Sequence, residues 1–328
     1  MKRAVLLGIV IILSAGLIAG GVAYGVKHLR IATAGTTGAL YPMGVLMAKT
    51  INKYLPEFKA SAQATAGSVA NLRMLYNGEV EWGISQQDIA WFAYHGMPPF
   101  KGRKMDNLRS LFGTLSGWLQ IFAPANSPIK SIKDLKGKKV SVGAPGSGGE
   151  IDARMLLSYY GITYKDIKPF FLPEKEAVAA LKSGTIDAMI ATHPLRSAAF
   201  LDLTNTYHVK MIPVDDPGVY EKFPFFERGV IPKGTYKGVD YDVVTPKIKV
   251  IMLTTTKSGL SDDEIYKLLK VIFEHRDEWK DAHAAVRKYV TLENAAKGVA
   301  IPFHAGAIKF YKEKGFKIPK KLYPPEYK

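Results

Sequence analysis

The stretch "LKSGTIDAMIA" (181–191) repeats the pattern of an earlier one, "LYNGEVEWGIS" (75–85). Each has a Leu, a Gly three residues on, an acid three after that, and Ile before the last position. Each reads as a helix end, a glycine C-cap and a buried strand. Both fall at the same place in a longer alternation. Strands are expected near 29–34, 59–65 and 81–85, with helices near 41–54 and 67–77 between them. The series restarts with strands near 138–143, 167–172 and 186–191 and helices near 149–160 and 174–183. Such alternation argues for parallel βαβ units. Two similar α/β lobes facing each other account for it better than one continuous sheet.

Three strand-to-helix loops carry the polar chemistry. They are "GTTGALYPMG" (35–44), "ATAGSVANL" (64–72) and "SVGAPGSGGE" (141–150), rich in Gly, Ser and Thr. Taken singly, each is ordinary turn chemistry, with Gly relieving backbone strain and Pro tolerated in a first helical turn. Helix starts also expose N–H groups that have no intrahelical partner and so bind anions. In α/β sheets ligands sit outside the carboxyl ends of strands. Three such starts drawn from two lobes would converge on one cleft, which suits an anionic or zwitterionic ligand. The third loop is neither a Walker phosphate loop, since no Lys-Ser/Thr follows its glycines, nor a dinucleotide fingerprint, since Gly143, Gly146 and Gly148 are wrongly spaced.

Composition narrows the class. The 328 residues are 47% hydrophobic and 23% charged, ordinary for a globular chain large enough for two lobes. Net charge is +16, yet the basic residues are spread out, apart from seven Lys against two Glu over 309–328. No zinc-ligand spacing or RNA-binding signature accompanies them, so nucleic acid is not expected as a partner. Cysteine is absent, which excludes disulfides, thiolate metal sites and a cysteine-linked lipid anchor. Lys2 and Arg3 precede an uncharged stretch, Ala4–Val26, whose five glycines would make a poor soluble helix. It reads as an export segment. Small residues at Gly21 and Ala23 suit cleavage, whereas its length would also span a bilayer; either way the remainder is expected outside the cytoplasm.

With "GTTGALYPMG", "ATAGSVANLRMLYNGEVEWGISQQDIAWFAYHG", "IKSIKDLKGKKVSVGAPGSGGEIDARMLL" and "ALKSGTIDAMI" in order along it, the chain resembles the TAXI family of solute-binding proteins, receptors of tripartite ATP-independent periplasmic (TRAP) transporters. The resemblance implies a two-lobed, type II periplasmic-binding-protein-like fold with a hinge. Residues 1–27 would be a signal peptide or anchor, 28–120 the first lobe, 121–249 the second, and 250–328 a return that completes the first. It implies capture of a small carboxylate or amino acid, glutamate-like or dicarboxylate, and delivery to TRAP membrane subunits by a monomer without a cofactor. The implied ligand wall is Thr36, Thr37, Tyr41, Thr65, Ser68 and Gln86 from the first lobe, with Ser147, Gly148 and Gly149 from the second. The pattern departs from relatives at Thr37, which replaces a glycine, and at Gly149, where threonine is frequent. "THPLRS" adds His193, which before Pro194 reads more readily as a packed loop residue than as a ligand contact, and Arg196, which would pair with a carboxylate of the ligand or with a neighbouring acid. Trp118 and Gln120 lie in a first crossing between lobes, and "IKVIMLTTTKSG" (248–259) in the return.

An importer receptor of the ATP-driven kind uses the same lobe logic and is the alternative partner class. An enzyme on this scaffold is a third reading and is disfavoured: there is no HExxH or GxSxG, and Asp88 and Glu150 sit at expected helix starts, where acids serve the helix dipole.

Overall fold

A computed structural model describes residues 25–36, 38–279 and 282–327. Almost all of the expected export segment, and Thr37, lie outside the described residues. Among the described residues no helix is long and apolar enough to cross a membrane.

The first series forms β1 (Lys27–Ala32), α1 (Leu40–Tyr54), β2 (Phe58–Gln63), α2 (Ser68–Asn77), β3 (Trp82–Gln86) and α3 (Gln87–His95). A long strand β4 (Leu108–Pro124) leads to β5 (Lys139–Ser141), α4 (Gly148–Tyr159), β6 (Lys168–Phe170), α5 (Glu174–Lys182), β7 (Ala188–His193) and α6 (Ala198–Thr206). Then come β8 (Val209–Met211), α7 (Pro217–Lys222), β9 (Glu227–Ile231) and a second long strand, β10 (Val243–Thr255). Helices α8 (Asp262–Glu274), α9 (Ala284–Tyr289), α10 (Leu292–Ala295) and α11 (Ala305–Glu313) complete the chain.

Local chemistry accounts for these elements. On α1 the buried residues Met43, Met47 and Ile51 recur every fourth position and form the stripe that packs on the sheet. Gly44 lies on the same face, where an added Cβ would come 2.5 Å from Thr33 Cγ2, so the helix backbone approaches the strand closely. Helices α2 and α3 end on Gly78 and Gly96 in the left-handed conformation. Ser261 and Glu264 form a capping box at the start of α8.

In the first lobe the strand order is β2-β1-β3-β10-β4, and in the second β4-β7-β5-β6. β1 is parallel to β2 and β3, and β5 to β6 and β7. β4 and β10 are common to both lobes and antiparallel to each other. The first half of β4 pairs with β10, from Leu108↔Thr255 to Trp118↔Lys247; its second half pairs with β7 and β8. The hydrogen-bond ladder is therefore unbroken. This corrects the expectation of two lobes without a continuous sheet: the lobes are distinct in packing, but their crossing strands are long enough to belong to both. The return crossing also begins at Val243 rather than at 248, because β10 first pairs with β9.

Each lobe buries apolar residues on both faces of its sheet. In the first lobe, one cluster joins α1, α8 and α11 through Met47, Ile265, Phe310 and Tyr311; the other joins α2 and α3 through Leu72, Ile89 and Phe92. The second lobe has one cluster around Val140, Leu156 and Ile190 and another around Phe122, Leu181 and Phe200. Trp118, in the first crossing, packs with the last of these, its ring against Gly229.

Candidate functional site

A cavity of about 580 Å³ lies between the lobes, at the carboxyl ends of β1, β3, β5 and β7. Four helix starts open into it: Ala39–Leu40 of α1, Gly67–Ser68 of α2, Ser147–Gly149 of α4 and Pro173–Glu174 of α5. Two come from each lobe. Their unpaired N–H groups and dipoles together favour negative charge in the enclosed space.

Of the residues named from sequence, Thr36, Thr65, Ser68, Gln86, Ser147, Gly148, Gly149 and His193 line this cavity. Tyr41 and Arg196 do not. α1 begins at Leu40, so Ala39 and Leu40 meet the cavity while the next residue is turned about 100° around the helix axis. Arg196 is exposed, with a left-handed backbone (φ 60°). Its guanidinium donates to the Thr235 carbonyl at 3.3 Å, and its N–H donates to the Tyr236 hydroxyl at 3.0 Å.

The hydroxyls in this wall are largely committed to the protein. Ser147 Oγ caps α4 by accepting the Glu150 N–H at 3.1 Å and donates to the Ala144 carbonyl at 2.7 Å. Ser68 Oγ accepts the Gln86 N–H at 3.0 Å. Thr65 Oγ1 meets Asn71 Oδ1 at 2.6 Å and the Thr33 carbonyl at 2.9 Å, and accepts the Gly67 N–H. The loops are thereby fixed by their hydroxyls and offer backbone N–H groups to a guest. Gly143 (φ +98°) makes one of these turns possible: a Cβ there would stand 3.0 Å from the Glu150 nitrogen.

Contacts between the lobes are direct. The Ala70 N–H donates to the Gly146 carbonyl at 3.1 Å, and Gln86 Nε2 donates to Asp152 Oδ2 at 2.6 Å. Thr192, from the end of β7, donates to the same oxygen at 2.7 Å. Gly148 faces the Gln86 amide so closely that any side chain would overlap it.

Sequence reasoning missed Glu174, Thr192 and Ser141, all in the cavity wall, and Asp152 behind it. Glu174 is buried, accepts a hydrogen bond from Ser197 Oγ, and lies 3.7 Å from His193 Nδ1. Ser141 is buried with its hydroxyl unpartnered, and it is the first residue of the quoted loop, a signal that was available. Asp152 is fully buried, which with the neighbouring Glu150 charge pushes its carboxyl up to about 6, against the lowering effect of its Thr192 and Gln86 donors. Asp88, also fully buried at the start of α3, is pushed well above the usual carboxylate range by burial and then by Asp152. Among the described residues no group of three or more His, Asp or Glu is placed to hold a metal ion.

The profile of the NMT1-like family matches residues 31–315. A putative aliphatic sulfonates-binding protein of Escherichia coli (strain K12) is 29% identical over 170 residues, covering 48% of this chain and 49% of that one. The chain thus matches about half the length of this curated relative. Among solved structures, the periplasmic aliphatic sulphonate binding protein SsuA from E. coli aligns at TM-score 0.45 and 19% identity, covering 88% of this chain and 83% of that one. The alkanesulfonate-binding protein SsuA from Xanthomonas axonopodis pv. citri, bound to MOPS, aligns at 0.48 and 16%, covering 92% and 97%. A putative L-cystine ABC transporter protein from Listeria monocytogenes aligns at 0.48 and 18%, covering 84% and 100%.

Proposed function

Because the chain belongs to the NMT1-like family, we propose that it is an extracytoplasmic solute receptor that encloses a small organic anion between its lobes. The observation that carries this reading is the cavity into which four helix starts open, two from each lobe. A carboxylate or sulfonate head would accept N–H donors from both lobes at once, and those contacts are complete only when the lobes meet. Glu174 and His193 supply a second, polar wall suited to an amine or hydroxyl, so amino acids and aminosulfonates join simple organic acids as candidates. The sulfonate class is supported by the name of the curated relative and the amino-acid class by the paired acidic and anion-binding walls.

The family match does not single out the TAXI group that the loop motifs resemble. The membrane partner proposed here is accordingly an ATP-driven importer, and a TRAP permease is the second reading, resting on those motifs. Co-purification with an ATPase subunit, or with a large permease and no ATPase, separates them.

Thermal-shift titration against alkanesulfonates, aminosulfonates, amino acids and mono- and dicarboxylates tests the receptor reading. A ligand that binds only the folded form raises the melting temperature with concentration. The expected result is a saturable rise for one anionic class. A folded protein, free of co-purified ligand by native mass spectrometry, that responds to none of these classes would sink the reading.

A further inference from the structure

Asp88 and Asp152 do not line the cavity, and the capture described above makes no use of them. They come from opposite lobes, Asp88 from the start of α3 and Asp152 from the second turn of α4. Both are fully buried. Neither oxygen of Asp88 meets a donor in good geometry, and Oδ1 of Asp152 also lacks one. Gln86, the N-cap of α3, donates to Asp152 Oδ2 at 2.6 Å, which sets Asp152 against the helix start that carries Asp88.

Two ionised carboxylates so placed would repel each other away from water and leave three oxygens without donors. A single proton removes the repulsion and supplies one of the missing donors. On Asp88 it neutralises one acid and supplies the O–H donor that Asp152 lacks. The opposite oxygen of Asp152 already accepts from Gln86 and Thr192, whose side chains belong to the cavity wall of the first and second lobe respectively. We infer that the closed lobes hold a proton between Asp88 and Asp152, and that this pair acts as a positioning latch, taking up the proton on closure and fixing Gln86 and Thr192 in place.

The surroundings reinforce the need for that proton. Glu150, on the same helix as Asp152, adds a further negative charge, itself held by Arg154 at 3.1 Å and by the Tyr164 hydroxyl at 2.8 Å. β3 and β7 contribute the neutral donors Gln86 and Thr192. Around Asp88, the Asp88 and Ile89 backbone amides at the start of α3 offset only part of the cost of burial. When the lobes part, water reaches both acids and their affinity for protons returns to the ordinary carboxylate range, near pH 4. The closed form therefore binds more protons than the open form above that pH. Its population falls as pH rises, by about tenfold in the closed-to-open ratio per pH unit for each proton taken up.

The inference takes lobe closure as the capture step but not the ligand class. It is tested on the full chain in mild non-ionic detergent with no ligand added, so a wrong ligand class leaves the outcome untouched. Cysteines placed at the exposed Lys59 and Lys165, one in each lobe of a chain with no cysteine of its own, carry spin labels for distance measurement. The closed fraction is expected to grow between pH 8 and pH 5. In Asp88→Asn, where an amide N–H replaces the shared proton, it is expected to be high at both. Asp152→Asn, which gives Asp88 a donor from the other side, should likewise flatten the response. The melting temperature of Asp88→Asn relative to the native chain should climb with pH, since only the native chain's folded form holds a proton that its unfolded form releases, so only its stability falls as pH rises. A native closed fraction equal at the two pH values, or a pH response unchanged in both variants, overturns the inference.

Discussion

Asn71 shows how single side chains hold the cavity wall without touching its contents. It is fully buried on α2, donates to the carbonyls of Thr33 at 2.6 Å and Ile84 at 2.8 Å, and accepts from Thr65 Oγ1. One amide thus ties the loops after β1 and β2 to the end of β3. Asn71→Ala leaves two buried carbonyls and a hydroxyl short of partners, at a cost of about 2–4 kcal/mol. The expected fall in melting temperature is roughly 5–10 °C, read by circular dichroism. A change under about 2 °C would mean that water or relaxation replaces the network. Little of this was legible in sequence. The hydroxyls of Thr65 and Ser68 read as ligand contacts because the Thr33 carbonyl and the Gln86 N–H that they meet are brought to them only by the fold.

At the scale of elements the sequence was far more explicit. The helices read near 41–54 and 67–77 form as Leu40–Tyr54 and Ser68–Asn77, because their apolar period, and for the second its terminal glycine, are local signals. Local signals could not reveal that β10 inserts between β3 and β4, since pairing partners far apart in sequence leave no periodic trace. They also could not show which helix starts are shared. The start of α4 is the sharpest case: Gly148 meets the amide of Gln86 from the other lobe, so absence of a side chain is what lets the lobes touch. Gly148→Ala should leave the fold intact, with a melting temperature within about 3 °C of the native chain, because alanine favours a helix. It should weaken binding of the anion identified by screening by at least about tenfold, measured by calorimetry. Undiminished affinity would show that the contact is absent from the bound state.

For the whole molecule, the two crossing strands decide how stability is shared. Lobes joined by flexible linkers commonly melt apart, but here β4 and β10 run through both, with 17 and 13 residues. Loss of either lobe's core therefore strips partners from strands that the other lobe needs. Ligand-free protein at pH 7 should show one calorimetric transition, with van't Hoff and calorimetric enthalpies in agreement. Two resolved transitions would mean that the strands can fray in their middle, at the register shifts between Lys249 and Ile251 and between Met252 and Leu253.

The same placement of β10 has a bearing on how the chain is made. β3 and β4 are successive strands, yet the slot between them is filled by β10, residues 243–255, synthesised after β5 to β9 of the second lobe. Until that segment emerges, the first half of the polypeptide presents two open sheet edges and lacks the α8 and α11 surfaces that cover Met47 and Phe112. A growing chain of this design cannot complete its first sheet ahead of its own later residues, so the early half waits for its central strand until three quarters of the polypeptide exists.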